Sequence, residues 1–460
     1  MIKRLSALVA LAAALVGLVL LAPQFNLTVG ELPKADVLSV KAQDLKLVCP
    51  GGVYRTGGAA GTKVGAFEAI GSPEINSDFN GPAGTSMLIS GNQLTAVDPA
   101  GRAEQNSILL NANQLQSIQT DGLAGLTGAG CQRPTNDLWF VGGDNSTGRE
   151  SLLVVKNVTK VDSTVSLEIF NERGLVTGSG MSGISVAAGK TTVIPLSSYA
   201  PKTKTFSTHL VSRGGLVAAW IQEKVVRGLA AGGVDYVSPS AAFATTQAIP
   251  GVFIRGSADA AKLMANSDFS DLVPTLRVFV PGQKSATVTA QVLGSTAKTF
   301  GTVVRQTIAG GTTADIALPG LQDGDFVAIV KSDAPVGASI RLHRVVKSKV
   351  DFAWLSSAQP QTAKVGFTVP TSGISKLSVA NPGSADLTLT LSQNGGAETS
   401  FKVPAARQLT LKFAPGSKLQ LSTGKSPFFA TMIVDVDGSV SAIPVLDYKN
   451  PGGQVAVMVR

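Results

Sequence analysis

Apolar residues in this chain recur at every second position in short runs, and turn residues cut the runs. The pattern is plainest between Cys131 and Pro195: Trp139-Phe-Val-Gly-Gly, Leu152-Leu-Val-Val-Lys-Asn157, Val165-Ser-Leu-Glu-Ile-Phe170 and Ala188-Gly-Lys-Thr-Thr-Val-Ile-Pro195. A period of two places alternate side chains on opposite faces of an extended strand, so the stretch reads as strands with one buried face. Two fainter copies follow. Leu153–Asn157, Leu276–Gly282 and Leu377–Gly383 form a first strand, and Val165–Ile169, Ala286–Val292 and Leu387–Leu391 a second. A third runs through Gly189–Ile194, Gly311–Ile316 and Arg407–Leu411, and a hairpin-like pair closes each copy at His209–Trp220, Phe326–Ala338 and Ala430–Ala442. The closing strands at Val217, Val336 and Val440 follow Val155, Val278 and Val379 at nearly equal distances, as expected of an internal repeat.

The repeats predict an all-β chain of tandem immunoglobulin-like sandwiches, each near the ~100 residues such a module needs. A β-propeller-like arrangement is the alternative, since repeated four-strand units give similar spacing. Expected boundaries are 1–22 for an anchor, 23–43 for a stalk, 44–138 for an irregular β domain closed by a disulfide, and 139–245, 246–360 and 361–460 for three sandwich modules.

The first residues change the picture from fold to place. Lys3 and Arg4 precede Leu5–Ala22, an apolar run broken only by Ser6 and Gly17. It is long enough for one bilayer crossing, and the charge before it puts the N-terminus in the cytoplasm. The run ends Leu20-Leu-Ala-Pro23 without a small-x-small cleavage site, which favours an uncleaved anchor over secretion after signal cleavage. The expected protein is therefore a single-pass membrane protein, held by residues 5–22, with the bulk of the chain extracytoplasmic. Residues 23–43 carry Pro23 and Pro33 without periodicity and read as a stalk.

Composition agrees with strands: 50 Gly, 23 Pro and only 15% charged residues. The formal charge of +9 is scattered and lacks interleaved aromatic residues, which argues against a nucleic-acid partner. Cys49 and Cys131 are the only cysteines, and an exported chain with an even count pairs them. Closing so long a loop gives on the order of 4–5 kcal/mol in the chain-entropy model.

The anchor, the Cys49-Pro50 pair, the run from Cys131 to Gly143 and the Ala188-Gly-Lys-Thr-Thr motif together resemble a family of actinobacterial exported proteins of unknown function. Members of that family tend to be encoded near a large membrane glycosyltransferase. The resemblance implies an envelope location and a link to surface polysaccharide assembly, and carries no catalytic residues over. The family's Asn-Pro-Gly turn is kept at Asn381-Pro-Gly383 and replaced by Asn157-Val-Thr159 in the first repeat.

Candidate chemistry is sparse. Gly143-Asp-Asn-Ser-Thr-Gly-Arg-Glu150 approaches a phosphate-binding loop, but a strand pattern follows where a helix is required, so it reads as an inter-strand loop. Asp323-Gly-Asp325 and Asp435-Val-Asp-Gly438 hold paired carboxylates without the spacing of a calcium loop and read as tight turns. His209 and His343 read as half-exposed strand residues. Ser295-Thr-Ala-Lys298 and Ser422-Thr-Gly-Lys425 match a Ser-x-x-Lys pattern without the helix that chemistry needs. Trp139, Trp220 and Trp354 offer a sugar-stacking platform if exposed and core if buried. The expectation is a non-catalytic envelope scaffold without cofactor or metal, partnered by a membrane glycosyltransferase or an envelope polysaccharide. A carbohydrate- or wall-polymer-binding protein is the alternative.

Overall fold

The computed structural model describes residues 44–57, 65–98, 108–120, 122–295, 301–424, 426–446 and 448, with the backbone of Asp36–Val40 and Gly453–Val457. The expected anchor at 5–22 lies outside the described residues. The chain divides into two bodies, residues 1–42 with 452–460, and residues 43–451. In the first, Asp36–Val40 pairs antiparallel with Gly453–Val457, which sets a strand inside the stretch read as a stalk. No described helix is long and apolar enough to cross a membrane.

Among the described residues the large body is all-β apart from a short helix at Ser257–Leu263 and two 3-10 turns. Three stretches repeat one strand plan. The first module comprises Asp137–Val141, Arg149–Asn157, Ser163–Asn171, the short pair Gly174–Leu175 and Ile184–Val186 in fourth place, Thr191–Pro195, Phe206–Arg213, Val217–Arg227 and Ala230–Val237. One sheet runs fifth-second-seventh-eighth and the other first-sixth-third-fourth. The third module repeats this order with Val365–Thr368, Ile374–Asn381, Leu387–Gln393, Thr399–Val403, Arg407–Phe413, Lys418–Ser422, Phe429–Val436 and Ser439–Pro444. In the second module the sixth and seventh strands are one continuous strand, Gly324–Val346. Its first half pairs with Ala286–Gly294 and its second with Thr275–Val280 and Lys349–Ser356, so one strand serves both sheets.

Each pair of sheets shares one core. In the first module Val155 and Ile221 from one sheet meet Leu167 and Leu210 from the other, all four 4% exposed or less. Burying each such side chain contributes about 1.5–3 kcal/mol. The immunoglobulin order sets strands A-B-E-D against C-F-G. Lettered in the same way, these modules set E-B-G-H against A-F-C-D.

The N-terminal stretch, expected to be irregular, is a shortened fourth copy. Leu45–Val48, Gln93–Val97 and Ser86–Ser90 form a first-sixth-third sheet, and Glu74–Asn80, Leu109–Thr120 and Leu123–Gly130 a second-seventh-eighth sheet. Leu45, Leu47, Leu94 and Leu110 fill the core between them. The fourth and fifth strands are missing because Gly91-Asn92 turns the third strand straight into the sixth. A ribbon, Val53–Thr56 with Phe67–Ile70, is inserted between the first and second strands. Its weak periodicity and the missing strands hid this copy from a reading built on four recurring features.

The slot that closes each sequence repeat also needs correction. Val217 and Val336 lie on seventh strands, but Val440 lies on an eighth, so the third copy slips by one strand. The matching stretch of the third module spans Lys418–Ser422 and Phe429–Val436. The slip arose because Asp437 and Gly438, both with positive φ (48° and 79°), build the one true hairpin among the three compared stretches.

The modules are not strung in a line. Leu123–Gly130 packs on Ala230–Val237, which packs on Lys349–Ser356, which packs on Ser439–Pro444, which returns to Leu123–Gly130. The four eighth strands thus close a ring. Two glycines permit the approach: a Cβ on Gly233 (φ 120°) would lie 2.5 Å from Phe352 Cδ1, and one on Gly125 (φ 152°) 2.7 Å from Asp351 Oδ1. Asp351 sits between them, accepting at Oδ2 from the Leu126 amide at 3.0 Å and the Val440 amide at 3.1 Å. One carboxylate therefore joins strands from the N-terminal, second and third modules.

Candidate interaction site

The ring has a mouth at each end. Gly130, Ser238, Gln359 and Pro444, at or just past the ends of the four eighth strands, line a cavity of about 400 Å³ whose walls include Trp139 and Tyr448. At the other end, Gly125, Ala231, Lys349 and Ser439, near the strand beginnings, line a cavity of about 280 Å³ that reaches Asp351. The larger mouth carries an aromatic wall. The Trp139 ring lies 3.9 Å from His209, nearly parallel at 7°, and its centroid is 5.1 Å from those of Phe243 and Phe279. Glu168 at 2.9 Å and Asp137 at 3.2 Å hold the two ring nitrogens of His209, which fixes the plane behind Trp139. Gln132, 4% exposed, donates to the Ala219 carbonyl while its Oε1 has no hydrogen-bond partner. Burial pushes the Tyr448 phenol above its ordinary value. Aromatic side chains beside amide and hydroxyl groups, with Arg133 and Asp137 also in the lining, suit a polar ligand with an apolar face.

A buried charge network joins the first and second modules. Arg277, 1% exposed, donates to both oxygens of Asp315 and to the carbonyls of Gly143, Lys204 and Phe206. Arg341 lies 3.4 Å from Asp144 and 3.8 Å from Glu223. Asp271 takes Arg149 at 2.7 Å and Arg227 at 2.8 Å. Burial pushes the Glu223 carboxyl up to about 7 against the pull of Arg341. Burial also raises Asp315, but Arg277 outweighs it and holds that carboxyl below its usual range. Around Asp271 burial is likewise outweighed, by His343 first and then by the guanidinium groups of Arg227 and Arg149. Burial lowers the His343 imidazole to about 3, opposed by Asp271 and reinforced by Arg341. This chemistry is cohesive: each carboxylate faces a guanidinium, an amide or an indole.

The three tryptophans are not brought together. Trp220 and Trp354 are buried, at 0% and 3% exposure, and offer no face to a ligand. Trp354 donates Nε1–H to Glu223 at 3.0 Å and lies under Arg277 and Arg341, 5.1 and 5.9 Å from its ring. Trp139 alone is half-buried at a cavity. Cys49 and Cys131 form the expected disulfide.

Residues 143–148 do form an inter-strand loop, with Asp144 wholly buried and capping Ser146, and Arg149-Glu150 open the next strand. The Asp435–Gly438 turn joins two strands as expected. Asp323 does not make a hairpin: it accepts from the Gly256 and Ser257 amides at the start of the short helix, and Asp325 pairs with Arg255. His343 is buried at 6% exposure, because its strand is covered on both faces. The Ser-x-x-Lys matches fall partly outside the described residues, and Ser422 lies on a strand. Among the described residues no group of three or more His, Cys, Asp or Glu could hold a metal ion.

Sequence reasoning missed the network and the mouths. A signal existed for the buried charges: Arg277, Asp235 and Asp351 each interrupt an otherwise apolar run. The mouths had none, since each is built from four distant strand ends.

No curated protein matches the chain. Among solved structures, the crystal structure of a tetra-tandem repeat in the extending region of a large adhesion protein aligns at 12% identity over 92% of this chain and 93% of that one, with a TM-score of 0.11 that carries no argument about the fold. A family model matches residues 91–420, well over half the chain and reaching from the turn that shortens the N-terminal module to the sixth strand of the third. On that match the chain belongs to the family of unknown function DUF5719.

Proposed function

We propose that the chain is a non-catalytic scaffold of the bacterial cell envelope, anchored through residues 5–22 with the ring outside the membrane. Its partner on this reading is a membrane glycosyltransferase or the polysaccharide such an enzyme makes. The observation that carries the proposal is ring closure: four sandwich modules locked by their eighth strands make a rigid body rather than a flexible string. The buried charged groups support it, because Glu223, Asp235 and Asp351 are engaged in holding modules together. Purification of the anchored chain in mild detergent, with identification of what accompanies it, tests this; repeated recovery of nothing refutes it.

A second reading, carbohydrate or wall-polymer binding, is favoured by Trp139 at the larger mouth. The half-buried indole, stacked on His209 and Phe279, lines the cavity, and the unpartnered Gln132 oxygen marks a nearby polar site. Trp139→Ala is expected to abolish retention on purified cell wall at low salt while leaving the melting temperature within a few degrees. Equal retention of variant and parent removes this reading.

A further inference from the structure

The four modules share one plan, and among the described residues one position in it is filled three times and open once. Thr302–Ile308 lies beside the third strand of the second module, Thr399–Val403 beside that of the third, and two short strands beside that of the first. In the N-terminal module the third strand is Ser86-Met-Leu-Ile-Ser90. Among the described residues it pairs only with Gln93–Val97. Leu88 and Ile89 are 60% and 57% exposed. The strand carries no charge, proline or bulge, the devices by which proteins blunt a sheet edge.

The turn settles which backbone groups are open. Ser90 and Gln93 flank the two-residue turn Gly91-Asn92, so they form the closing hydrogen-bonded pair, and bonded pairs alternate from there through Leu88 and Ser86. The N–H and C=O groups of Met87 and Ile89 therefore point away from the sheet.

We propose that the Ser86–Ser90 edge accepts an extended segment of a partner protein as an added antiparallel strand, completing the fourth position of the N-terminal module. The segment is five to seven residues long, rich in β-branched residues, and places apolar side chains beside Leu88 on one face and Ile89 on the other. A second copy is the weaker occupant, since two five-residue ribbons edge to edge bury far less than the ~1,200 Å² of a stable interface. The inference concerns a different face from the axial mouth, and failure of either leaves the other standing.

The test is residue-resolved amide exchange on the full chain in mild detergent, with and without the peptide Thr-Val-Val-Arg-Gln-Thr-Ile, which copies the strand that fills this position in the second module. Met87 and Ile89 amides are expected to exchange freely in the chain alone and to slow at least tenfold with the peptide at about 1 mM. Ile89→Pro removes an outward donor and no ladder bond, so it should abolish the slowing without lowering the melting temperature. Protection in the chain alone overturns the proposal. Its dependence on protein concentration would identify a second copy as the occupant, and its independence the chain itself. Free exchange that the peptide does not slow, or slowing that survives Ile89→Pro, overturns it equally.

Discussion

Asp351 lies at the smaller mouth of the ring, and Asp351→Asn separates its hydrogen bonds from its charge. The carboxyl is wholly buried, and desolvation pushes it from 3.8 up to about 7 despite the amides of Leu126 and Val440. The unfolded chain releases this proton near pH 4 and the folded chain near pH 7. Stability from holding it is whole below the lower value and is lost as pH rises through the upper one. A gap of about three pH units corresponds to ~4 kcal/mol. In the variant, the amide oxygen takes the place of Oδ2 and keeps both bonds, while the NH2 takes the place of Oδ1, which has no partner. That buried donor costs about 1–3 kcal/mol at every pH. Urea unfolding at pH 5 and pH 8 is the assay. The variant is expected to lie within about 1 kcal/mol of the parent at pH 5 and to gain about 2–3 kcal/mol relative to it by pH 8, ending more stable. A difference between the two proteins that does not change with pH would refute the reasoning.

Gly233→Ala forces a Cβ to within 2.6 Å of Asp351 Oδ1 at a φ of 120°, and is expected to lose about 3 kcal/mol or more in urea, whereas Gly228→Ala, with open space around it, pays only for its positive φ. Arg277→Met strips Asp315 of its charge partner and three carbonyls of their donor, for a loss of about 3–5 kcal/mol; in a cycle with Asp315→Leu the double variant should lose less than the two singles together, and strict additivity would mean the pair does not interact. Removing the disulfide with Cys49→Ser and Cys131→Ser opens a loop between residues 82 apart, and the urea midpoint should fall by the equivalent of about 4 kcal/mol.

Strand periodicity made most of the fold legible and hid its closure, for one physical reason. Alternation reports which face of a strand is buried, and Val165-Ser-Leu-Glu-Ile shows it in its burial as in its sequence. Eighth strands are covered on both faces, by their own module and by the ring, so Ala230–Val237 and Lys349–Ser356 show almost continuous burial. Such strands lose the period of two, which is why the sequence repeat shows no eighth strand and why Val440 falls in the place of a seventh. The charged residues within them follow from the same geometry. Asp351 and Asp235 tolerate burial because backbone amides and Ser441 of neighbouring modules reach them, and no single module's sequence contains those partners.

The N-terminal module shows how the ring tolerates an incomplete member. It lacks two of eight strands, and its core is correspondingly small, with Ile75, Phe79 and Met87 only partly buried at its margin. A unit that buries less apolar surface has less to set against chain entropy, and small domains commonly meet that shortage with a covalent tie. The chain's one disulfide lies in this module and in no other. Cys49 directly follows the first strand and Cys131 the eighth, so the bridge ties one sheet to the other. The eighth strand it secures is also the one on which the first and third modules both pack. The tie therefore fixes the weakest module and the closing step of the ring together, leaving its other sheet edge, Ser86–Ser90, free of any role in closure.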